Sequence, residues 1–206
     1  MSEEKLKFDF DGEESKNPLL RFLSKNSKSI ANLIITHVAT CVFGLIVVIA
    51  CTMVSGQVWG KEGYPTVIIH IGGTISALLY LMVIYVHMWE RGANDKNKID
   101  AGRLKKDKLT GLKIWLVPNS IIILLTIFST LFYFVWQNGS GIVDIVLRFI
   151  NGMYLNLLSL AKVPPFAMYW IVLVPGMLVA TLSYISGVSG QKCLFPEPKN
   201  SNKKYR

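Results

Sequence analysis

The chain has 206 residues, of which 51% are hydrophobic and 17% charged, and its mean hydropathy is +0.41. A soluble domain has about 25% charged residues, and the long apolar segments of this chain leave no room for a second, soluble domain. The formal net charge of +9 is compatible with nucleic-acid binding or with a basic cytoplasmic side of a membrane protein. Because the basic residues lie beside apolar segments, we favour the membrane interpretation and predict no nucleic-acid partner.

Residues 1–28 are predicted to form a polar cytoplasmic tail. The last part of the tail, residues 17–28, is amphipathic and begins with Asn17 and Pro18. Asn is a favoured N-cap and Pro a favoured first residue of a helix. The sequence therefore predicts a short amphipathic helix that lies on the inner membrane surface.

Four segments have the length and composition of membrane-spanning helices. A bilayer core requires about 20 consecutive, mostly apolar residues, and four windows meet this requirement: Ile30–Val54, Thr66–Trp89, Leu112–Trp136 and Phe166–Ser186. None of them has the alternating pattern of a membrane β-strand. We therefore predict an all-α integral membrane protein in which residues 29–188 form a bundle of four transmembrane helices.

The distribution of Lys and Arg predicts how the chain is threaded. These residues number 6 in the N-terminal tail, 8 in the second connector with its flanks (residues 90–113) and 5 in the C-terminal tail, residues 189–206. The first and third connectors have only 1 and 2. Basic residues concentrate on the cytoplasmic side. The sequence thus predicts a multi-pass protein of the cell membrane with both termini in the cytoplasm.

The interiors of the four spans contain no Asp, Glu, Lys or Arg, whereas ion-coupled transporters usually place an ionisable group there. His37 in the first span and Asn119 in the third fall at a similar predicted depth in the inner half of the membrane. They form a candidate polar layer that could line a path for a small polar solute. The alternative is a hydrogen bond that only packs two helices together. His37 could also approach His87 as a haem or metal ligand.

The connector after the second span mixes basic and acidic residues. Gly92 is predicted to cap the second helix. The hydrophilic run that follows is either a solvated connector that sets orientation or an ordered cytoplasmic docking site. The candidate docking residues are Glu90, Asp95, Asp100 and Arg103. In an ordered site, we expect Glu90 and Asp95 to pair with Arg91, Arg103 or a cation of a partner.

A residue pattern in the same stretch is similar to a known group. The second span ends as Y-x-x-M-W-E-x-G-A-x-D, and D-x-G-R and G-L-x-I follow. These motif positions are Tyr85, Met88, Trp89, Glu90, Gly92, Ala93, Asp95, Asp100, Gly102, Arg103, Gly111, Leu112 and Ile114. The pattern resembles that of a group of small, uncharacterised four-span membrane proteins of Gram-positive anaerobes. The group has no assigned activity, so the resemblance implies membership and no reaction.

Residues 142–162, between the third and fourth spans, are predicted to form an amphipathic helix. At 100° per residue its polar side chains fall on one side of the helix: Asp144, Arg148, Asn151, Ser159 and Lys162. A spanning helix would place charges in hydrocarbon, at about 2.5–3.5 kcal/mol each near the centre. A helix in the outer membrane interface avoids that cost, and a shallow re-entrant helix is the alternative.

Pro175 and Gly176 lie near the middle of the fourth span and are predicted to break its helix. Broken helices occur at transport sites, usually in pairs that belong to two internal repeats. No internal repeat is visible in this sequence, so the predicted break is only a candidate feature of a site.

Taken together, charge-free spans and glycine-lined faces, such as that of Gly72 and Gly73, favour a non-enzymatic function. The leading hypothesis is a membrane subunit or accessory protein that contacts the lipid bilayer and another membrane protein or a second copy of itself. The alternative is a permease or facilitator for a small uncharged solute, using the His37 and Asn119 layer and the Pro175 break. A haem- or metal-binding redox subunit is a third hypothesis. We predict no enzymatic activity and no cofactor.

Overall fold

The computed structural model describes residues 17–59, 65–105, 107–136, 141–154 and 165–194. Over these ranges the chain forms five α-helices and one 3₁₀ turn, with no β-strand. The helices are α1 Pro18–Trp59, α2 Pro65–Asp100, α3 Thr110–Trp136, α4 Gly141–Ile150 and α5 Pro165–Val188, and the 3₁₀ turn is Gly152–Tyr154. Helices α1, α2, α3 and α5 are long and apolar enough to cross a membrane. The prediction of four apolar spans is therefore confirmed.

Helix α1 begins as the sequence predicts but is longer than expected. The Asn17 side-chain oxygen accepts the Leu19 amide proton at 3.0 Å, which is the capping contact that Asn favours. The helix then runs without a break into the first span, so the prediction of a separate short helix is wrong. The reason is packing, because Phe22 and Leu23 contact the hydrophobic core and Asn26 is buried.

Helix α2 ends about three turns later than predicted. Its C-terminal glycine is Gly102, with φ of +70°, a backbone conformation that glycine adopts without strain. The Gly102 amide donates to the Ile99 carbonyl at 2.9 Å and the Arg103 amide to the Lys98 carbonyl at 2.8 Å. These two bonds form a Schellman cap. Gly92, predicted to be the cap, lies inside the helix.

Helix α3 begins just after an acidic side chain in the preceding turn. Lys113 Nζ donates to Asp107 Oδ2 at 2.7 Å, and the Leu109 amide donates to Asp107 Oδ1 at 2.8 Å. The Lys113 contact, with help from the Leu109 amide, holds the pKa of Asp107 below its usual value. A carboxylate at this position also interacts favourably with the helix dipole. Asp107 therefore fixes where α3 starts.

Helices α1 and α2 are antiparallel. At one end of the bundle, Arg91 of α2 donates to Asn26 of α1. Further along, Gly72 of α2 is in close contact with Val47 of α1. We call the end of the bundle where α1 begins and α2 and α5 end the tail end. The α1–α2 contacts place Asn26 and Arg91 at the tail end and Gly72 toward the opposite end.

Helices α3 and α5 are also antiparallel. Gly111 at the start of α3 packs against Tyr184, near the end of α5. Trp170, near the start of α5, donates through its indole to Thr130 of α3. Helix α3 therefore runs away from the tail end and α5 runs back to it, so each long helix reverses the direction of the one before.

The segment between α3 and α5 differs from the prediction. Helix α4 contacts α3 at its start, where Ser129 donates to Asp144 at 3.0 Å. The 3₁₀ turn after α4 packs closely against α1: a Cβ atom added to Gly44 would lie 2.6 Å from the Met153 Cα. Gly44 is more than half-way along α1 from the tail end. The tip of the segment thus lies deep in the bundle.

The described part of the predicted helix over residues 142–162 is shorter than expected, because α4 ends at Ile150 and a 3₁₀ turn follows. Its placement in the outer membrane interface or as a re-entrant helix stays a prediction. The segment packs against the bundle, since Tyr169 donates to the Asp144 carbonyl at 3.1 Å and Asn151 is buried. Gly44 and Gly152 lack side chains and let the two backbones approach. Ser159 and Lys162 of the predicted helix lie outside the described residues.

Candidate functional site

His37 is at the centre of a polar layer in the interior of the bundle. Its Nε2 atom lies 3.0 Å from the Ile150 carbonyl oxygen, at the tip of α4. Because a carbonyl can only accept, Nε2 carries the proton and donates it. Nδ1 then accepts the hydroxyl proton of Tyr80 in α2 at 3.2 Å. A single imidazole therefore joins α1, α2 and the end of α4, in the segment that connects α3 to α5.

Trp115 of α3 extends this layer to a third long helix. The side chain is buried, and its indole lies beside the Tyr80 hydroxyl, although the indole nitrogen meets the criteria of a hydrogen bond with none of the described residues. Gly176 of α5 makes room for the ring, because a Cβ atom at that position would lie 3.3 Å from Trp115 Nε1. The glycine that was predicted to break α5 thus has a packing role beside Trp115.

Tyr154 closes the layer from the side of the 3₁₀ turn. Its ring lies edge-on to that of Tyr80, with 5.9 Å between centroids and 88° between planes. The side chain is buried, and among the described residues its hydroxyl has no hydrogen-bond partner. We define the polar layer as His37, Tyr80, Trp115 and Tyr154.

Asn119 does not join His37 in the way that the sequence suggested. The residue is buried in α3, and its side-chain nitrogen donates to the Trp115 carbonyl, one turn earlier in the same helix, at 2.8 Å. Pro118 leaves α3 continuous despite its missing amide. The predicted pair is therefore corrected: His37 links three segments of the chain, whereas Asn119 bonds within its own helix.

This difference predicts unequal effects of two matched substitutions. His37→Leu removes two inter-segment hydrogen bonds, and such bonds in membrane proteins average about 0.6 kcal/mol each and reach about 1.7. We expect a loss of about 1–2 kcal/mol for His37→Leu and almost none for Asn119→Leu. Unfolding of both variants in mixed detergent micelles measures the difference. Equal losses for the two would contradict the assignment of His37 as the link.

Pro175 does not break α5. The helix runs continuously from Pro165 to Val188 with Pro175 inside it. Proline removes one internal hydrogen bond and crowds the preceding turn, but neighbouring helices tolerate this in a membrane bundle. The predicted break at Pro175 and Gly176 is therefore wrong as a description of the backbone, while the position of Gly176 beside Trp115 keeps it near the polar layer.

A second polar cluster lies at the tail end and includes one of the predicted docking residues. Asp95 is 1% exposed. Tyr184 of α5 donates to Asp95 Oδ2 at 3.0 Å, and Arg91 Nε lies 3.3 Å from the same oxygen as an ion pair. Arg91 also donates to Asn26 of α1 at 2.9 Å. We call Asn26, Arg91, Asp95 and Tyr184 the tail-end network.

The other predicted docking residues are separate from this network. Asp95 pairs with Arg91, one of the expected cations, but it does so inside the bundle, so it does not present its carboxylate to a partner. Asp100 and Arg103 are exposed, and Glu90 is half-buried. Asp95 has its second, longer ion-pair contact with Lys98 at 3.9 Å, not with Arg103. The four residues therefore do not form one site, and docking by Asp95 is corrected.

Two glycines explain why a carboxylate can be buried here. Gly92 of α2 and Gly187 of α5 face each other, and the position of a Cβ atom at Gly187 would be 3.0 Å from the Gly92 Cα. The two backbones are therefore in direct contact. Because the backbones are so close, Asp95, one turn beyond Gly92, lies within hydrogen-bond distance of the Tyr184 hydroxyl. The Trp89 indole also donates to the Gln191 carbonyl at 3.0 Å, beside the same contact between α2 and α5.

The structure also bears on the predicted ligands for a haem or metal. Both ring nitrogens of His37 have partners, on Tyr80 and at Ile150, so neither is free to bind a metal together with His87. Among residues 17–59, 65–105, 107–136, 141–154 and 165–194, no group of three or more His, Cys, Asp or Glu side chains could hold a metal ion.

Several residues of both clusters were not singled out from the sequence as site residues. Tyr80, Trp115, Tyr154 and Tyr184 are not among the residues that the sequence patterns single out. The sequence does contain one signal for these residues. A tyrosine or tryptophan inside a membrane span has a polar atom that needs a hydrogen-bond partner. Which partner it finds depends on residues that are distant in sequence.

Comparison with protein families, with curated proteins and with solved structures gives no match. The resemblance to the group of small four-span proteins therefore stays a prediction.

Proposed function

We propose that this chain is a small membrane facilitator for an uncharged polar solute, built around a re-entrant segment formed by α4 and the 3₁₀ turn. The single observation that carries the proposal is the contact of the turn with α1 near Gly44, in the interior of a helix that is long enough to span a bilayer. Non-helical backbone at such a depth is tolerated only where protein buries it or where it lines a polar cavity. The Tyr154 hydroxyl on this turn has no hydrogen-bond partner among the residues that the structure describes, which favours the second case.

The charge of the polar layer supports an uncharged solute. None of its four members carries a permanent charge, and His37 is neutral when its Nδ1 accepts the Tyr80 hydroxyl proton. The charged residues of α4 lie elsewhere: Asp144 accepts from Ser129, and Arg148 is exposed. Nothing among these layer residues would compensate the desolvation of an ion.

Two prolines flank the layer and support movement there. Pro118 in α3 lies one turn from Trp115, and Pro175 in α5 precedes Gly176. Each proline removes one backbone hydrogen bond from its helix. The two long helices that enclose Trp115 are therefore weakened at the level where a solute would have to pass.

The accessory-subunit hypothesis has less support in this geometry. Its main argument was the glycine-lined faces, but Gly72 packs against Val47 and Gly92 against Gly187 within the same chain. The Oδ2 atom of the buried Asp95 likewise has internal partners, Tyr184 and Arg91. An orientation with both termini in the cytoplasm is part of our proposal, and it makes the tail end the cytoplasmic end and α4 an entry from outside.

Solute flux into proteoliposomes tests the proposed function. We expect vesicles that contain the protein to take up glycerol or urea faster than protein-free vesicles, with no added permeability to K⁺. Gly44→Val should lower the uptake, because its side chain would displace the 3₁₀ turn: a Cβ atom would already lie 2.8 Å from the Gly152 carbonyl oxygen. Ala50→Val, at an exposed position of α1, is the matched control. Equal uptake with and without protein would overturn the proposal.

A further inference from the structure

We propose that the indole N–H of Trp115 and the hydroxyl of Tyr154 bind the oxygen atom of a small neutral solute that carries a hydroxyl or carbonyl group. Both side chains are buried, with Trp115 2% and Tyr154 4% exposed. Among the described residues, both polar atoms lack a hydrogen-bond partner. A buried donor without a partner is destabilising, and most buried polar atoms in proteins are satisfied. Two such donors in one layer indicate that a ligand satisfies them.

The two donors flank the same tyrosine. The Tyr154 ring lies edge-on to Tyr80, and the Trp115 indole nitrogen lies near the Tyr80 hydroxyl. The hydroxyl proton of Tyr80 is already donated to His37 Nδ1, so its oxygen can accept from a further group. The layer therefore offers two donors and one acceptor, and His37 fixes the orientation of that acceptor.

This set of groups selects the chemistry of the ligand. A hydroxyl group accepts from Trp115 and Tyr154 and donates to Tyr80, and an amide carbonyl with its adjacent N–H does the same. A cation has no carboxylate in the layer to pair with, and an anion has no Lys or Arg there. Small alcohols, polyols and amides of the size of glycerol and urea are the matching class. That these compounds are transported rests on the proposed function, whereas their binding does not.

Binding can be measured in the full chain without any transport assay. In detergent micelles, a variant with Trp59, Trp89, Trp136 and Trp170 replaced by Phe reports the emission of Trp115 alone. We expect glycerol or urea to change this emission saturably. The tetramethylammonium cation, which has no acceptor, should leave it unchanged when its chloride salt is compared with NaCl at the same concentration. Tyr154→Phe in the same background should weaken the apparent affinity roughly 2- to 10-fold, the effect of one lost neutral hydrogen bond. Asn119→Leu, whose side chain bonds within α3, should leave the affinity unchanged.

Two outcomes would overturn the site. The first is an equal response of the Tyr154→Phe variant and its parent, with thermal melting showing that both are folded. The second is the absence of any saturable change with glycerol and urea, together with a Trp115 emission that differs between H₂O and D₂O. That result would mean that an ordered water alone satisfies the two donors. If the single-tryptophan variant fails to fold, the emission of Trp115 can be obtained by subtracting the emission of the Trp115→Phe variant from that of the native chain. Binding without flux in vesicles would refute the transport proposal alone, and flux without a Trp115 response would refute this site alone.

Discussion

Replacing Asp95 by Leu should remove about 3–5 kcal/mol from the free energy of unfolding, the effect of deleting one member of a buried ion pair. The substitution leaves Arg91, whose side chain is 17% exposed, without its carboxylate, and it leaves the Tyr184 hydroxyl without its acceptor. These groups belong to α2 and α5, and Arg91 also binds α1 through Asn26. We therefore expect the tail ends of three long helices to lose their common link.

The control for this experiment is on the same helix. Asp100→Leu changes an exposed carboxylate and should alter stability by less than about 0.5 kcal/mol. The double variant Arg91→Leu/Asp95→Leu should recover part of the loss, because it removes the uncompensated charge as well. Denaturation in mixed micelles measures all three variants. If Asp95→Leu and Asp100→Leu are equally mild, the tail-end network does not stabilise the bundle.

The four apolar spans could be predicted from the sequence because hydropathy over about 20 residues has few alternative explanations. The N-cap at Asn17 was predictable for a similar reason, since the contact involves residues two apart. The end of α2 was predicted at the wrong glycine. Gly92 and Gly102 are both plausible caps by local pattern, and only the contact of Gly92 with Gly187 distinguishes them.

The depth of α4 could not be predicted in the same way. An amphipathic helix has the same sequence pattern whether its polar side faces head groups or other helices. The contacts that place α4 against the other helices are those of Asp144 with Ser129 and Tyr169, and that of the Ile150 carbonyl with His37. His37 and Ile150 are 113 residues apart, and a one-dimensional pattern carries no information about such a pair.

The prediction for Asp95 failed for a related reason. A carboxylate in a run that also contains Lys96 and Lys98 has the local pattern of a solvated connector. Its burial depends on Tyr184, which is 89 residues away. For the polar layer, the sequence pattern points to His37 as a polar group inside a span, and it pairs that residue with Asn119 because predicted depth is the only information it carries. Tyr80, Trp115 and Tyr154 required the three-dimensional contacts.

Replacing Gly187 by Val should separate α2 from α5 and produce the second large loss of stability. A Cβ atom at this position would meet the Trp89 carbonyl, would lie 2.9 Å from the Ala93 amide nitrogen, and would lie 3.0 Å from the Gly92 Cα. These are backbone atoms, which cannot rotate away as a side chain can. Overpacking typically costs about 1–3 kcal/mol, and here it would also pull Tyr184 from Asp95. We therefore expect a loss at or above the upper end of that range.

The matched control is Gly141→Val at the start of α4, where a Cβ atom would meet nothing within 4 Å. It should unfold at nearly the native denaturant concentration. Gly187→Ala should lie between the two, because the methyl group already occupies the forbidden position but adds no branch. Trp89 supplies a local readout, since its indole donates to the Gln191 carbonyl just after the α5 turn, and its emission should shift to longer wavelength when α5 moves away. A Gly187→Val variant with native stability and native Trp89 emission would show that α2 and α5 do not depend on this backbone contact.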